Sequence, residues 1–187
     1  MRRLTGLALG LVLLLAACGS DDGAQVRQVD GTGTVSGSGT GSGPASGSGT
    51  AFTVPCKPVG DPATADATVG VELLDRDILV DPAQAGAGTV TFEISNNGTE
   101  LHQLVVVRAH DPSKLPLDDG RIALGRLPKG TLIGQVEPWS PQVTCTATLE
   151  LRAGSYALFC NILETEADGT KENHYTNGMR TSFEVRA

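Results

Sequence analysis

Histidines, basic residues, long apolar runs and helical patterning are all scarce in this chain, and each scarcity excludes something. There are three histidines, His102, His110 and His174. No site that needs a large histidine cluster, such as the multi-copper centre of an oxidase, is available. Lys and Arg number 14 against 21 Asp and Glu, for a formal charge of −7 over 187 residues. An acidic chain of this kind has no electrostatic footprint for nucleic acid. The longest apolar run, Leu7 to Leu15, falls short of the roughly 20 residues that a membrane span needs. The 24 glycines and 10 prolines disfavour a long helical bundle, because both residues penalise helix interiors. The length fits one domain plus a tail.

What is present begins with an address. Arg2 and Arg3 precede the short apolar run, as in an export signal over residues 1–17. The run ends in Leu15-Ala16-Ala17-Cys18-Gly19, which resembles the lipobox of bacterial lipoproteins. That resemblance implies a lipidated Cys18 and an extracytoplasmic chain anchored to the bacterial cell membrane, in a compartment that permits disulfides. Cleavage before Cys18 removes two basic residues and no acid, leaving 12 basic against 21 acidic residues and a charge of −9. Residues 18–50 then hold the lipidated cysteine and a tract of glycine, serine and threonine with too little apolar surface to fold. The expectation is a flexible linker with a reach of roughly 30 Å.

From residue 51 to 187 the apolar residues alternate. Val69, Val71 and Leu73 share one face, as do Val90, Phe92 and Ile94; Leu104 and Val106; Ala147, Leu149 and Leu151; Tyr156 and Leu158; and Phe183 and Val185. A period of two marks half-buried strands. Asp81-Pro82, Asn96-Asn97-Gly98, Ala153-Gly154 and Asp168-Gly169 supply turns between them. No segment has a helical period, although the irregular stretch 111–130 leaves room for a short helical turn. The pattern predicts an all-β, antiparallel β-sandwich large enough to bury about two-thirds of its unfolded surface.

Four residues then stand out for their chemistry. Cys160 ends the run SYALFC, His174 and Met179 follow in NHYTNGM, and His102 lies upstream in NNGTELHQLVVV. A thiolate, two imidazoles and a thioether form the donor set of a mononuclear blue-copper centre. Sulfur stabilises Cu(I) and imidazole suits both oxidation states, so little needs to move when an electron passes. Zinc gains little from the thioether. A binuclear copper site needs a second cysteine in the same loop. A cysteine nucleophile would lack any accompanying oxyanion-hole motif. Glu164, Glu166 and Asp168 read as a solvated face, and His110 as a solvated residue at a strand end.

At these residues the chain resembles the plastocyanin-like cupredoxins, over about residues 69–187. The likeness lies in GTVTFEISNNGTELHQLVVV, LRAGSYALFCNI and HYTNGMRTSFEV. It implies a Greek-key, cupredoxin-like sandwich with one copper per chain, held by His102, Cys160, His174 and Met179. It also implies that His174, near the surface, is the port for electrons. The ligand loop departs from the family: thirteen residues, Asn161 to Asn173, separate Cys160 from His174 where a few are usual. The expectation is an outward hairpin around Asp168-Gly169 that returns the chain to the site.

With Cys18 lipidated, three cysteines remain and one must be odd. Cys56 is paired here with Cys145, leaving Cys160 for the metal; Cys56–Cys160 and Cys145–Cys160 are formally open, and either would abolish the site. The expected function is a membrane-tethered electron carrier rather than an enzyme, without nucleic-acid or small-molecule substrate. It would exchange single electrons with redox proteins that present a basic docking patch. The alternative is a cell-surface protein that binds or delivers copper.

Overall fold

The computed structural model describes residues 52–187 apart from Ala167. The signal peptide, Cys18 and the Gly/Ser/Thr tract lie outside the described residues. Thirteen strands follow one another: β1 (Ala67–Leu74), β2 (Asp77–Asp81), β3 (Gln84–Gly86), β4 (Gly88–Asn96), β5 (His102–Arg108), β6 (Leu117–Asp118), β7 (Arg121–Ile122), β8 (Leu132–Trp139), β9 (Thr144–Leu151), β10 (Gly154–Phe159), β11 (Leu163–Thr165), β12 (Lys171–Asn173) and β13 (Arg180–Arg186). Two main sheets form, in the orders β2-β1-β4-β9 and β3-β13-β10-β5-β8; β6 with β7 and β11 with β12 make two small hairpins.

The residues that alternate in the sequence build the core. Val69, Val71, Leu73, Val90, Phe92, Ile94, Ala147 and Leu151 of the first sheet meet Leu104, Val106, Tyr156, Leu158, Phe183 and Val185 of the second. Phe92 and Phe183 pack edge to face across the layers, 5.4 Å between centroids. One feature exceeds simple alternation. Val105 and Val107 of β5 are buried too, on the outer face of the second sheet with Ala157, Phe159 and Tyr175. The irregular segment after β5 covers this face through Ala109, Leu115, Ile122, Leu124 and Leu127. That is why LVVV is apolar on both faces. The segment holds two single 3₁₀ turns, Pro112–Lys114 and Leu124–Arg126.

The sheets are mixed, which corrects the expectation of a purely antiparallel sandwich. β1 pairs with β4 in parallel, as does β3 with β13. After β2 the chain leaves the first sheet, adds β3 to the edge of the second, and re-enters the first as β4 on the free side of β1. A crossover of this kind gives parallel neighbours, whereas a hairpin gives antiparallel ones. Alternation along a strand carries no information about the direction of its neighbour.

Cys56 is bonded to Cys145, and Cys160 is free and buried. The bridge ties the segment before β1 to β9, opposite Ile94 of β4.

Candidate metal centre

Three separate pieces of chain bring the donors to one end of the sandwich. His102 opens β5, with Trp139 of β8 as its cross-strand partner. Cys160 follows the last residue of β10. His174 and Met179 bracket the turn between β12 and β13. Backbone bonds stitch these pieces together: the Cys160 N–H donates to the Met179 carbonyl (3.0 Å), the Met179 N–H to the His174 carbonyl (3.0 Å), and the His174 N–H to the Ile162 carbonyl (3.1 Å). The turn itself is set by Asn173, whose side-chain oxygen accepts from the Thr176 N–H at 3.0 Å. Gly178 sits at φ +124°, and a Cβ there would lie 2.5 Å from the Arg76 carbonyl oxygen. Only glycine lets the chain pass so close to the β1–β2 turn just before Met179.

The long loop folds as a hairpin and comes back, as the sequence led us to expect. β11 and β12 pair antiparallel from Leu163↔Asn173 to Thr165↔Lys171. Asp168 caps the turn by accepting from the N–H and hydroxyl of Thr170. At its base the Asn161 side chain accepts from the Ile122 N–H (2.6 Å) and donates to the Ile122 carbonyl (3.0 Å). Lys171 meets Asp119 of the β6–β7 turn at 2.8 Å. The insertion is therefore anchored on both sides rather than left to swing.

His102, Cys160 and His174 offer ligand atoms that lie within 4.8 Å of one another, and all three are buried. The two imidazole Nδ1 atoms are 3.2 Å apart, and the Cys160 Sγ is 3.5 Å from the His174 Nδ1. The rings meet nearly at right angles, with centroids 5.1 Å apart. Met179 is fully buried in the same cluster as Cys160. His110 stands apart: it is exposed, with its Nδ1 3.3 Å from the Ser155 hydroxyl. One expectation fails. His174 has no exposed surface, so its imidazole edge does not reach solvent as a surface port would. The approach of Glu100 covers its Nε2.

Two carboxylates that the sequence reading did not single out complete the surroundings. Asp75, in the β1–β2 turn, places Oδ1 3.2 Å from the His102 Nε2. Glu100 places Oε2 3.5 Å from the His174 Nε2. Neither of those last two atoms has a hydrogen-bond partner among the described residues. In sequence, Asp75 reads as a turn residue and Glu100 as an ordinary loop acid.

Burial lowers the affinity of both imidazoles for a proton, and His174 adds to that at His102 through mutual repulsion. Burial pushes the Cys160 thiol up to about 11, against the pull of hydrogen bonds from the backbone N–H groups of Gln103 and Ile162. Burial raises the Glu100 carboxyl, and the charges of Glu172, Asp75, Glu164 and Glu166 raise it further. At Asp75 burial acts upward, but hydrogen bonds from Thr99 and His102 outweigh it and hold the carboxyl below its usual value.

The donors fit copper. With the outer nitrogens facing carboxylates, the hydrogens of neutral imidazoles belong on Nε2 and the Nδ1 lone pairs point inward. Two lone pairs and a sulfur then converge in a buried pocket on the position a cation would take. A metal deprotonates a coordinating thiol outright, which overcomes the raised affinity of Cys160 for its proton. Soft sulfur with imidazole suits copper.

The β-sandwich gathers one buried cysteine and two buried histidines at one place, with a buried methionine in the turn that also carries His174. Among solved structures the chain is similar to the dithionite-reduced auracyanin of the photosynthetic bacterium Roseiflexus castenholzii, at 19% identity over 66% of this chain and 99% of that one, with a TM-score of 0.47. It is also similar to auracyanin A, a "blue" copper protein of the green thermophilic photosynthetic bacterium Chloroflexus aurantiacus (19%, 64% and 99%, TM-score 0.41), and to reduced rusticyanin (17%, 64% and 79%, TM-score 0.38). No family model matches the chain, and no curated protein matches it. At these TM-scores the likenesses bear no weight, and the functional reading rests on the site.

Proposed function

We propose that the chain is a mononuclear blue-copper electron carrier, with His102, Cys160, His174 and Met179 as ligands. The observation that supports it is the convergence of two imidazole Nδ1 atoms and one thiol sulfur within 4.8 Å, all buried. Bound copper would supply a single-electron couple. The residues supply rigidity: His102 and Cys160 sit at the ends of paired strands, and the His174–Met179 turn is bonded back to Cys160 and Ile162. Burial keeps water from the sulfur. Ligands held in this way change little between oxidation states, which keeps the cost of electron transfer low.

In this reading Cys18 carries lipid and the linker tethers the domain outside the cell membrane. Because His174 is buried, electrons leave through the atoms that cover it rather than from a bare imidazole edge. The carboxylates near this end, Glu100, Glu164, Glu166 and Glu172, favour a redox partner with a basic patch, in encounters that weaken with salt.

The test is titration of the metal-free protein with Cu(II). An intense thiolate-to-copper band should saturate at one copper per chain. Cys160→Ser should abolish the band, and Met179→Leu should raise the potential and loosen the metal. A colourless protein with stoichiometric copper would refute the blue-copper reading. Reversible reduction at an electrode with the metal retained supports a carrier; loss of copper on reduction points to delivery.

A further inference from the structure

Both candidate copper ligands of the histidine type have their outer nitrogen against a carboxylate. The His102 Nε2 faces Asp75 at 3.2 Å, and the His174 Nε2 faces Glu100 at 3.5 Å. The two carboxylates come from different loops, Asp75 from the β1–β2 turn and Glu100 from the β4–β5 loop. We infer that Asp75 is a positioning residue that orients the His102 imidazole, and that Asp75 and Glu100 together, by their charge, hold the site toward Cu(II). This inference rests on the copper reading above.

Local structure aims both groups. Asp75 accepts from the Thr99 N–H (2.7 Å) and hydroxyl (3.0 Å). Gly98 makes its approach possible: a Cβ there would overlap Asp75 Oδ1 and lie 2.5 Å from the His102 Nε2. The Asn96 side chain donates to the Glu100 carbonyl at 2.9 Å and to the Trp139 carbonyl at 3.1 Å, while its oxygen accepts from the Gly98 N–H at 3.2 Å. One buried asparagine thus fixes the loop that carries Glu100 and the glycine that admits Asp75.

The chemistry follows from the ring. An imidazole that presents Nδ1 inward must carry its hydrogen on Nε2. At His102, Asp75 accepting that hydrogen at 3.2 Å fixes the tautomer and ring angle and makes the inner nitrogen a stronger donor; Glu100, 3.5 Å from the His174 Nε2 and not hydrogen-bonded to it, acts there by its charge. A fixed negative charge behind each ring also favours the metal state of higher charge. The two effects act in the same direction, toward Cu(II).

The experiment compares wild type with Asp75→Asn, Glu100→Gln and a control, Glu184→Gln, which removes an exposed charge on β13 outside the site. Cu(II) and Cu(I) affinities of the metal-free proteins are read by competition with chelators, and potentials by redox titration. Each of the first two variants should bind Cu(II) about 10–100-fold more weakly, with a smaller loss for Cu(I). A tenfold difference between the two oxidation states raises a one-electron potential by about 59 mV. Glu184→Gln should stay near wild type, and Asp75→Glu should move back from Asp75→Asn toward wild type. Unchanged potentials in both variants overturn the inference, including when Asp75→Asn merely lowers the melting temperature of the metal-free form. A wild-type chain that takes up no copper overturns this inference and the proposed function together; a blue wild type with indifferent variants overturns this inference alone.

Discussion

His102 and His174 meet at 3.2 Å in a pocket with no exposed surface, and this has a consequence for the metal-free protein. Burial holds both imidazoles below their usual 6.5, with repulsion from His174 contributing at His102. As pH falls through 6.5, the unfolded chain takes up protons at these two positions that the folded chain refuses. Stability then drops with acid, since the unfolded state binds more protons. Glu100, raised above its usual 4.5, acts in the opposite sense, one carboxyl against two imidazoles. The metal-free domain should therefore melt at a lower temperature at pH 5.5 than at pH 7.5, as followed by circular dichroism. An equal or higher melting temperature at pH 5.5 would mean that the imidazoles are not held neutral by burial.

At the scale of elements, the sandwich depends on ties between segments far apart in sequence. The Cys56–Cys145 bridge joins residues 89 positions apart and pins the segment before β1 to the first sheet. A disulfide closing so long a loop restricts the unfolded chain strongly, and removing a native one from a small secreted domain costs about 2–5 kcal/mol. The double variant Cys56→Ala, Cys145→Ala should lose stability of that order in urea denaturation. It should still take up copper at Cys160, because the bridge contributes no donor. A variant as stable as wild type would show that β9 and the segment before β1 are held by packing alone. The β11–β12 hairpin illustrates a second tie. Its turn was legible from Asp168-Gly169, but its anchorage through Asn161 to Ile122 and through Lys171 to Asp119 was not, because those partners lie 39 and 52 residues away.

For the whole molecule, the proposal joins a buried one-electron site to a lipid tether. Full-length chain expressed in a bacterium should fractionate with membranes, whereas Cys18→Ser should release it or leave it unprocessed. Spectral properties of the copper site should be the same in both forms, since the Gly/Ser/Thr tract contributes none of the donors. Detergent extraction and immunoblotting decide the first point. Recovery of the wild-type chain wholly in the soluble fraction would remove the tether from the account.

Composition, periodicity and residue type were enough to give the class of fold and to single out the three side chains that meet, His102, Cys160 and His174. Val69, Phe92, Leu158 and Phe183 were placed in the core because period-two burial is a local property of a strand. His102, Cys160, His174 and Met179 stood out because few metals want that mixture of donors. Strand direction, the double-sided burial of β5, the enclosure of His174 and the two carboxylates behind the imidazoles required the tertiary structure. Each depends on which distant segment lies alongside, and that is set by crossovers between sheets and by loops folding back, which leave no periodic trace in the chain. The burial of His174 is the clearest case: a histidine in a polar loop has the sequence of a surface residue, and only the tertiary structure sets it among His102, Cys160 and Glu100.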